Sequence, residues 1–178
     1  QGGSEALSEA EKEVYEQVVR ENAIRNELDH DAVLVHDPQP LPLVTHYEKQ
    51  GPWLWQCHID LTTPNHEVLD YLRPFIEQYS GAIFSLPEYA QPLGIPQSFI
   101  MPAIDPFVAK NAPMSDEEVQ DCLDQANIPT DLPLVVQISR FDKWKDPLGV
   151  IEAFKLAHKD VEATLVLLGS SATDDPEG

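Results

Sequence analysis

The sequence predicts an α/β protein built on parallel sheets, and three observations carry that expectation. Short continuous apolar runs, such as Ala32-Val33-Leu34-Val35 and Leu134–Ile138, have the texture of strands inside a parallel sheet. Segments of helical period separate those runs. Between Asp105 and Thr130 the texture turns Pro- and Asn-rich, which parts the chain into two strand–helix–strand halves.

Residues 4–28 place Leu7, Ala10, Val14, Val18 and Ile24 at helical spacing, with Ser4 or Ser8 available as a cap, and predict a long amphipathic helix. Residues 32–35 predict a strand buried on both faces, whose carboxyl end delivers His36-Asp37-Pro38-Gln39-Pro40. Trp53-Leu54-Trp55-Gln56-Cys57 predicts a second strand, ending in His58-Ile59-Asp60. Residues 65–79 set Val68, Leu69, Leu72 and Ile76 on one helical stripe, with Pro74 able to kink it. A third strand is expected over 81–86 and a fourth over 99–102. Ser115-Asp116-Glu117-Glu118 has the pattern of a capping box and opens a helix running to about Ala126. Leu134–Ile138 is the next strand. A helix follows from about Asp146 with Pro147 at its first position, and residues 163–168 form the last strand. This order predicts two Rossmann-like parallel-sheet domains, each only partly present. The first covers 1–110, a linker with a helix covers 111–130, and the second begins at 131 and runs to 178. The ends, Gln1-Gly2-Gly3 and Asp174-Asp175-Pro176-Glu177-Gly178, have loop and turn chemistry, so a piece of a longer protein is expected.

The composition narrows the function classes. With 11 Lys+Arg against 31 Asp+Glu the chain carries −20, which argues against binding nucleic acid or an anionic membrane. At 42% hydrophobic and 24% charged it is globular rather than disordered. No apolar run approaches the roughly 20 residues of a transmembrane helix. Cys57 and Cys122 form no disulfide framework or metal ribbon and are expected as buried free thiols in a reducing, cytoplasmic compartment. The acidity fits either an ordinary acidic domain or, as the depleted Lys favours, a protein from a high-salt cytoplasm.

Ligands of open parallel sheets bind beyond the carboxyl ends of the strands, and three polar clusters fall there: His36-Asp37, His58 with Asp60, and Arg140 with Lys145. Arg140 follows a strand directly, and Lys145 precedes a helix start fixed by Asp146 and Pro147. A helix start carries about half a positive charge and unpaired N–H groups, so an Arg and a Lys beside it can complete a diphosphate cradle. The plainer reading is a solvated basic turn pairing with Asp142 and Asp146. His36 and His58 serve equally as sugar or leaving-group contacts or as strand-end residues satisfied by backbone. His30, His36, His46, His58 and Asp60 supply enough ligands for zinc, but their spacing does not support a site. Nothing fixes the separation of Asp37 and Asp60 that a carboxylate hydrolase would need.

His36-Asp37-Pro38-Gln39-Pro40, Cys57-His58-Ile59-Asp60-Leu61, Ile104-Asp105-Pro106, Ser139-Arg140-Phe141-Asp142-Lys143-Trp144-Lys145-Asp146-Pro147 and Asp174-Asp175-Pro176-Glu177-Gly178 together resemble the glycosyltransferring trehalose synthases of glycosyltransferase family 4. The resemblance covers nearly the whole chain in order. It implies a fold of GT-B type, with the end of one Rossmann-like domain and the start of another. It also implies a retaining hexosyltransferase that joins glucose from a nucleoside diphosphate glucose to free glucose, giving trehalose. On this resemblance Arg140 and Lys145 hold the donor diphosphate, His58 and Asp60 lie at the catalytic centre, and His36, Asp37 and Gln39 lie on the acceptor side. No bound cofactor is marked by the residues themselves; Mg²⁺ and a homodimer are what the family suggests. Ser139 stands where family 4 chains often have Gly. The Gly-rich loop of the first domain and a later donor-binding Glu segment are not in the sequence, so the piece is expected to be inactive alone. A trehalose phosphorylase, a family 4 transferase with another acceptor, and a non-catalytic sugar-nucleotide-binding module are the alternatives.

Overall fold

The computed structural model describes residues 5–170. Its contacts part the chain into two compact units, Gln1–Ile104 and Asp105–Gly178, so the segment 111–130 belongs with the second. The terminal motif at 174–178 and the candidate cap Ser4 lie outside the described residues.

In the first unit, Ser8 opens helix α1 (Glu9–Arg25) with a reciprocal capping box: its hydroxyl accepts from the Glu11 N–H while the Glu11 carboxylate takes the Ser8 N–H at 2.8 Å. The helix is shorter than the expected 4–28, and its apolar stripe is not buried. Only Val19 is covered, while Val14, Val18 and Ile24 face solvent, because α1 meets the unit chiefly at the turn Leu41–Thr45.

Strands β1 (Val33–His36), β2 (Trp53–Cys57), β3 (Gly81–Phe84) and β4 (Gln97–Phe99) form a wholly parallel sheet in that order. One face carries Val33, Val35, Trp53, Trp55, Cys57, Ala82 and Phe84, all buried. Helix α2 (His66–Ile76), capped by the Asn65 carboxamide oxygen, adds Leu69 and Ile76 to that core, and the turn Leu41–Thr45 adds Leu41 and Val44. Trp55 and Phe84 meet edge to face with centroids 5.7 Å apart. Burying each such side chain contributes roughly 1.5–3 kcal/mol.

The expectation that β1 is buried on both faces is corrected: its burial alternates, with Leu34 and His36 open because no described element covers that side of the strand. Pro74 sits in the last turn of α2, where its missing N–H forgoes a single bond, and the helix ends at Ile76, short of the expected 79. Strand β3 stops at Phe84, short of 86, where the chain enters the short turn Pro87–Tyr89. Strand β4 comes earlier than 99–102, because the ladder pairs Ala82 with Gln97 and Phe84 with Phe99, and Pro102 has no N–H to extend it.

The second unit contains α3 (Asp116–Gln125), capped by Ser115 with Glu118, and a parallel pair, β5 (Leu134–Ile138) and β6 (Thr164–Leu168). Helix α4 (Pro147–Ala157) connects the two strands and packs on β6. Strand β5 was expected to be buried; Val135, Val136 and Ile138 are instead open, since two strands and one helix cannot cover both faces. The chain after β6 passes so close to β5 that a Cβ on Gly169 would lie 1.9 Å from the Ser139 carbonyl oxygen. Cys122 is exposed, against the expectation of a buried thiol, because α3 presents no buried residue to its unit. Among the described residues no helix is long and apolar enough to cross a membrane.

Candidate functional site

The first unit gathers its polar residues at the carboxyl ends of β1 and β2. Register sets His36 opposite Gln56, and the Asp37 N–H still donates to the Gln56 carbonyl at 2.8 Å. Asp37 then turns into the left-handed region at φ 63, a conformation that Asp tolerates better than most residues. Two contacts hold it there. Its Oδ1 accepts the backbone N–H of His58 at 2.9 Å, and its carbonyl accepts Trp55 Nε1–H at 3.0 Å. The result brings the two exposed rings together, with His36 Nδ1 2.9 Å from His58 Nε2 and the ring planes within 4° of parallel. A hydrogen bond between them needs the hydrogen on one nitrogen and the lone pair on the other, so the two rings' tautomers are coupled.

Asp60 turns back on its own loop: its Oδ1 accepts the Thr62 hydroxyl at 2.7 Å and the Thr62 N–H at 2.8 Å. Those two bonds, the hydroxyl's first, hold its carboxyl below the usual carboxylate range. Asp60 also borders a mostly apolar cavity of about 260 Å³ beneath α2, together with Trp55, Cys57, Ile59, Asn65 and Val68. Burial pushes the Cys57 thiol up to about 11, so it stands there as a neutral group. Gln39 faces α1, beside Val18, Val19 and Asn22.

In the second unit the segment between β5 and α4 is organised by a buried acid. The Asp142 side chain is 1% exposed and pairs through Oδ2 with the half-exposed Arg140 guanidinium at 3.2 Å. Its Oδ1 accepts the N–H groups of Trp144 at 2.9 Å and Lys145 at 3.0 Å. Its carbonyl takes the Lys145 and Asp146 N–H groups at 3.2 and 3.1 Å. From inside β5, Gln137 Nε2 donates to the Lys145 carbonyl at 2.7 Å. Asp146, left-handed at φ 44, caps α4 by accepting the Gly149 N–H at 3.0 Å. Lys145 is exposed beside that helix start, and the Lys143 ammonium lies 5.0 Å from the Trp144 ring centroid.

The family profile described as the N-terminal domain of trehalose synthase matches residues 1–91. The chain belongs to the trehalose synthase family. A trehalose synthase of Pyrococcus horikoshii is 46% identical over 176 residues, 97% of this chain and 42% of that protein. Those of Thermococcus litoralis and Rubrobacter xylanophilus are 42% and 40% identical across the whole chain, which covers 44% and 45% of their lengths. The chain thus spans less than half the length of these relatives.

Within this trehalose synthase family member the structure joins His36, Asp37 and His58 into one cluster, leaves Asp60 on its own loop and turns Gln39 toward α1. Arg140 and Lys145 share the β5–α4 segment, and Arg140 does pair with Asp142, as the plainer reading of the basic turn expects. Among the described residues no three His, Cys, Asp or Glu side chains gather as a metal site, so the zinc ligand set is not assembled. Sequence reasoning overlooked three residues as organisers: Trp55, Gln137 and Asp142. A polar Gln inside the apolar run of β5 was a legible signal for one of them; the indole N–H of a core Trp was not.

Proposed function

We propose that this chain is part of a retaining hexosyltransferase that transfers glucose from a nucleoside diphosphate glucose to free glucose, forming trehalose in the cytoplasm. The observation that carries the reading is the Asp142-centred segment after β5, which bears Arg140 and Lys145 and leads into α4, in a chain 40–46% identical to trehalose synthases. As the bond to the diphosphate breaks, negative charge grows on the leaving phosphate. A guanidinium, an ammonium and the positive end of a helix stabilise that charge without any proton transfer. In the first domain the paired rings of His36 and His58 offer hydrogen-bond partners to hydroxyl groups, suited to holding the sugars as positive charge develops on the anomeric carbon. The described residues bring together no carboxylate cluster for the Mg²⁺ that the resemblance suggests.

The test is to incubate the complete protein with UDP-, ADP- or GDP-glucose plus glucose and follow nucleoside diphosphate and trehalose together. Trehalose rising in step with diphosphate supports the reading. Diphosphate without trehalose means another acceptor. Trehalose turnover that requires free phosphate means a phosphorylase.

A further inference from the structure

We infer that Asp142 is a positioning residue for the donor site: its buried carboxylate aims the Arg140 guanidinium and, by holding the Lys145 main chain, fixes where the Lys145 ammonium emerges. The inference rests on the proposed role of Arg140 and Lys145 toward a diphosphate. A carboxylate on a solvated turn would be exposed and exchange partners with water. Asp142 is buried at 1% side-chain exposure, and each oxygen has its own task. Oδ1 is occupied by two backbone N–H groups, those of Trp144 and Lys145. Oδ2 faces Arg140 as an ion pair at 3.2 Å and accepts no aligned hydrogen bond among the described residues. The carboxylate is therefore committed to the segment itself and holds the half-exposed Arg140 guanidinium at 3.2 Å. Gln137 ties the same Lys145 peptide to β5 from the opposite direction, so Lys145 is held at both its N–H and its carbonyl. A tethered cation loses less freedom when an anion arrives, and that difference appears as affinity.

The experiment uses the complete protein and measures binding of ADP, UDP and inorganic pyrophosphate by calorimetry, with AMP and UMP as monophosphate controls. Asp142→Asn keeps an acceptor for the two N–H groups and removes the charge facing Arg140; Asp142→Ala removes both. Asp142→Asn should weaken diphosphate binding roughly tenfold and Asp142→Ala further, with the monophosphates changed far less. In an Arg140→Ala background Asp142→Asn should add less than about twofold, because the group it aims is gone. Thermal unfolding separates a lost fold from a lost aim, and Asp142→Asn decides the matter if Asp142→Ala does not fold. Unchanged or tighter diphosphate binding in Asp142→Asn overturns the inference, as does an equal loss with and without Arg140. If Arg140→Ala and Lys145→Ala themselves leave diphosphate affinity unchanged, the underlying donor-site reading fails instead.

Discussion

Replacing Asp37 tests how the first cluster is built, because its two burdens can be removed one at a time. The residue sits at φ 63 and its Oδ1 accepts the His58 N–H at 2.9 Å. Asn keeps both the tolerance of the left-handed region and a carbonyl acceptor, so Asp37→Asn should cost only about 0.5 kcal/mol. Gly is at ease in that conformation but makes no bond, and Asp37→Gly should cost about 1 kcal/mol, the usual net worth of one hydrogen bond. Ala loses the bond and also carries the left-handed penalty of about 1 kcal/mol or more, so Asp37→Ala should cost about 2 kcal/mol. Urea unfolding followed by tryptophan emission is a suitable assay. Trp53 and Trp55 are 1% and 2% exposed in the first unit, whereas Trp144 in the second is 61% exposed, so the change in emission reports mainly the sheet that carries Asp37. At a slope of about 1–1.5 kcal/mol/M, the Ala variant should shift the midpoint by roughly 1.5 M. Ala no worse than Gly would refute the backbone argument. Asn as damaging as Ala would show that the charge of Asp37, not its conformation, holds the cluster.

In the complete protein, Arg140→Ala and Lys145→Ala should each lower the proposed turnover by about 10²-fold, and near-normal kinetics in both would refute their proposed role. The two glycines near that segment should behave oppositely under denaturation. A Cβ on Gly149 meets the Asp146 side chain, which can swing away, so Gly149→Ala trades a cap bond of about 1 kcal/mol for about 1 kcal/mol of helix propensity and should be near neutral. A Cβ on Gly169 meets the Ser139 carbonyl, which cannot yield without moving β5, so Gly169→Ala should cost about 2 kcal/mol or more. A thiol reagent at pH 8 should label exposed Cys122 and spare buried Cys57 until the chain unfolds; equal rates would contradict the burial of Cys57. Because burial raises the Cys57 thiol to about 11, the folded state keeps its proton where the unfolded chain has lost it. The Cys57 contribution is thus complete below the ordinary thiol value and lost as pH climbs toward 11; Cys57→Ala should make the decline of stability with pH shallower, the raised hydroxyls of Tyr15, Tyr71 and Tyr79 keeping their own share of it. A salt titration tests the acidic composition: stability that rises toward roughly 1 M KCl supports a high-salt protein, and indifference to salt removes that reading.

The strands and their polar ends were legible because parallel strands leave continuous apolar runs, and a chemistry-bearing residue after such a run has only one end of the sheet to occupy. That logic located His36, His58 and Arg140. Burial was less legible. The apolar run 32–35 reads as two-sided burial, yet Leu34 lies open, because a run of apolar residues states what a strand can bury and not what the described chain supplies to cover it. The same holds for β5 and for the stripe of α1. Strand ends slipped by two or three residues where register, rather than composition, sets them: β4 begins at Gln97 because Ala82 is its partner.

The acidic residues show most clearly what composition hides. Counted together they give a charge of −20 and suggest a uniformly hydrated surface. Yet the two clusters are each shaped by an Asp whose oxygen is spent on backbone N–H groups of a following loop: Asp37 on His58, and Asp142 on Trp144 and Lys145. In both, the residues proposed to meet a ligand carry imidazole or cationic side chains, and the acid beside them holds the backbone from which those side chains extend. A sequence presents Asp142 as a charge lying between Arg140 and Lys145, which favours mutual neutralisation in a solvated turn. Burial reverses that inference, since a carboxylate removed from water must be satisfied by fixed donors, and those donors are the peptide groups of the segment that carries the cations.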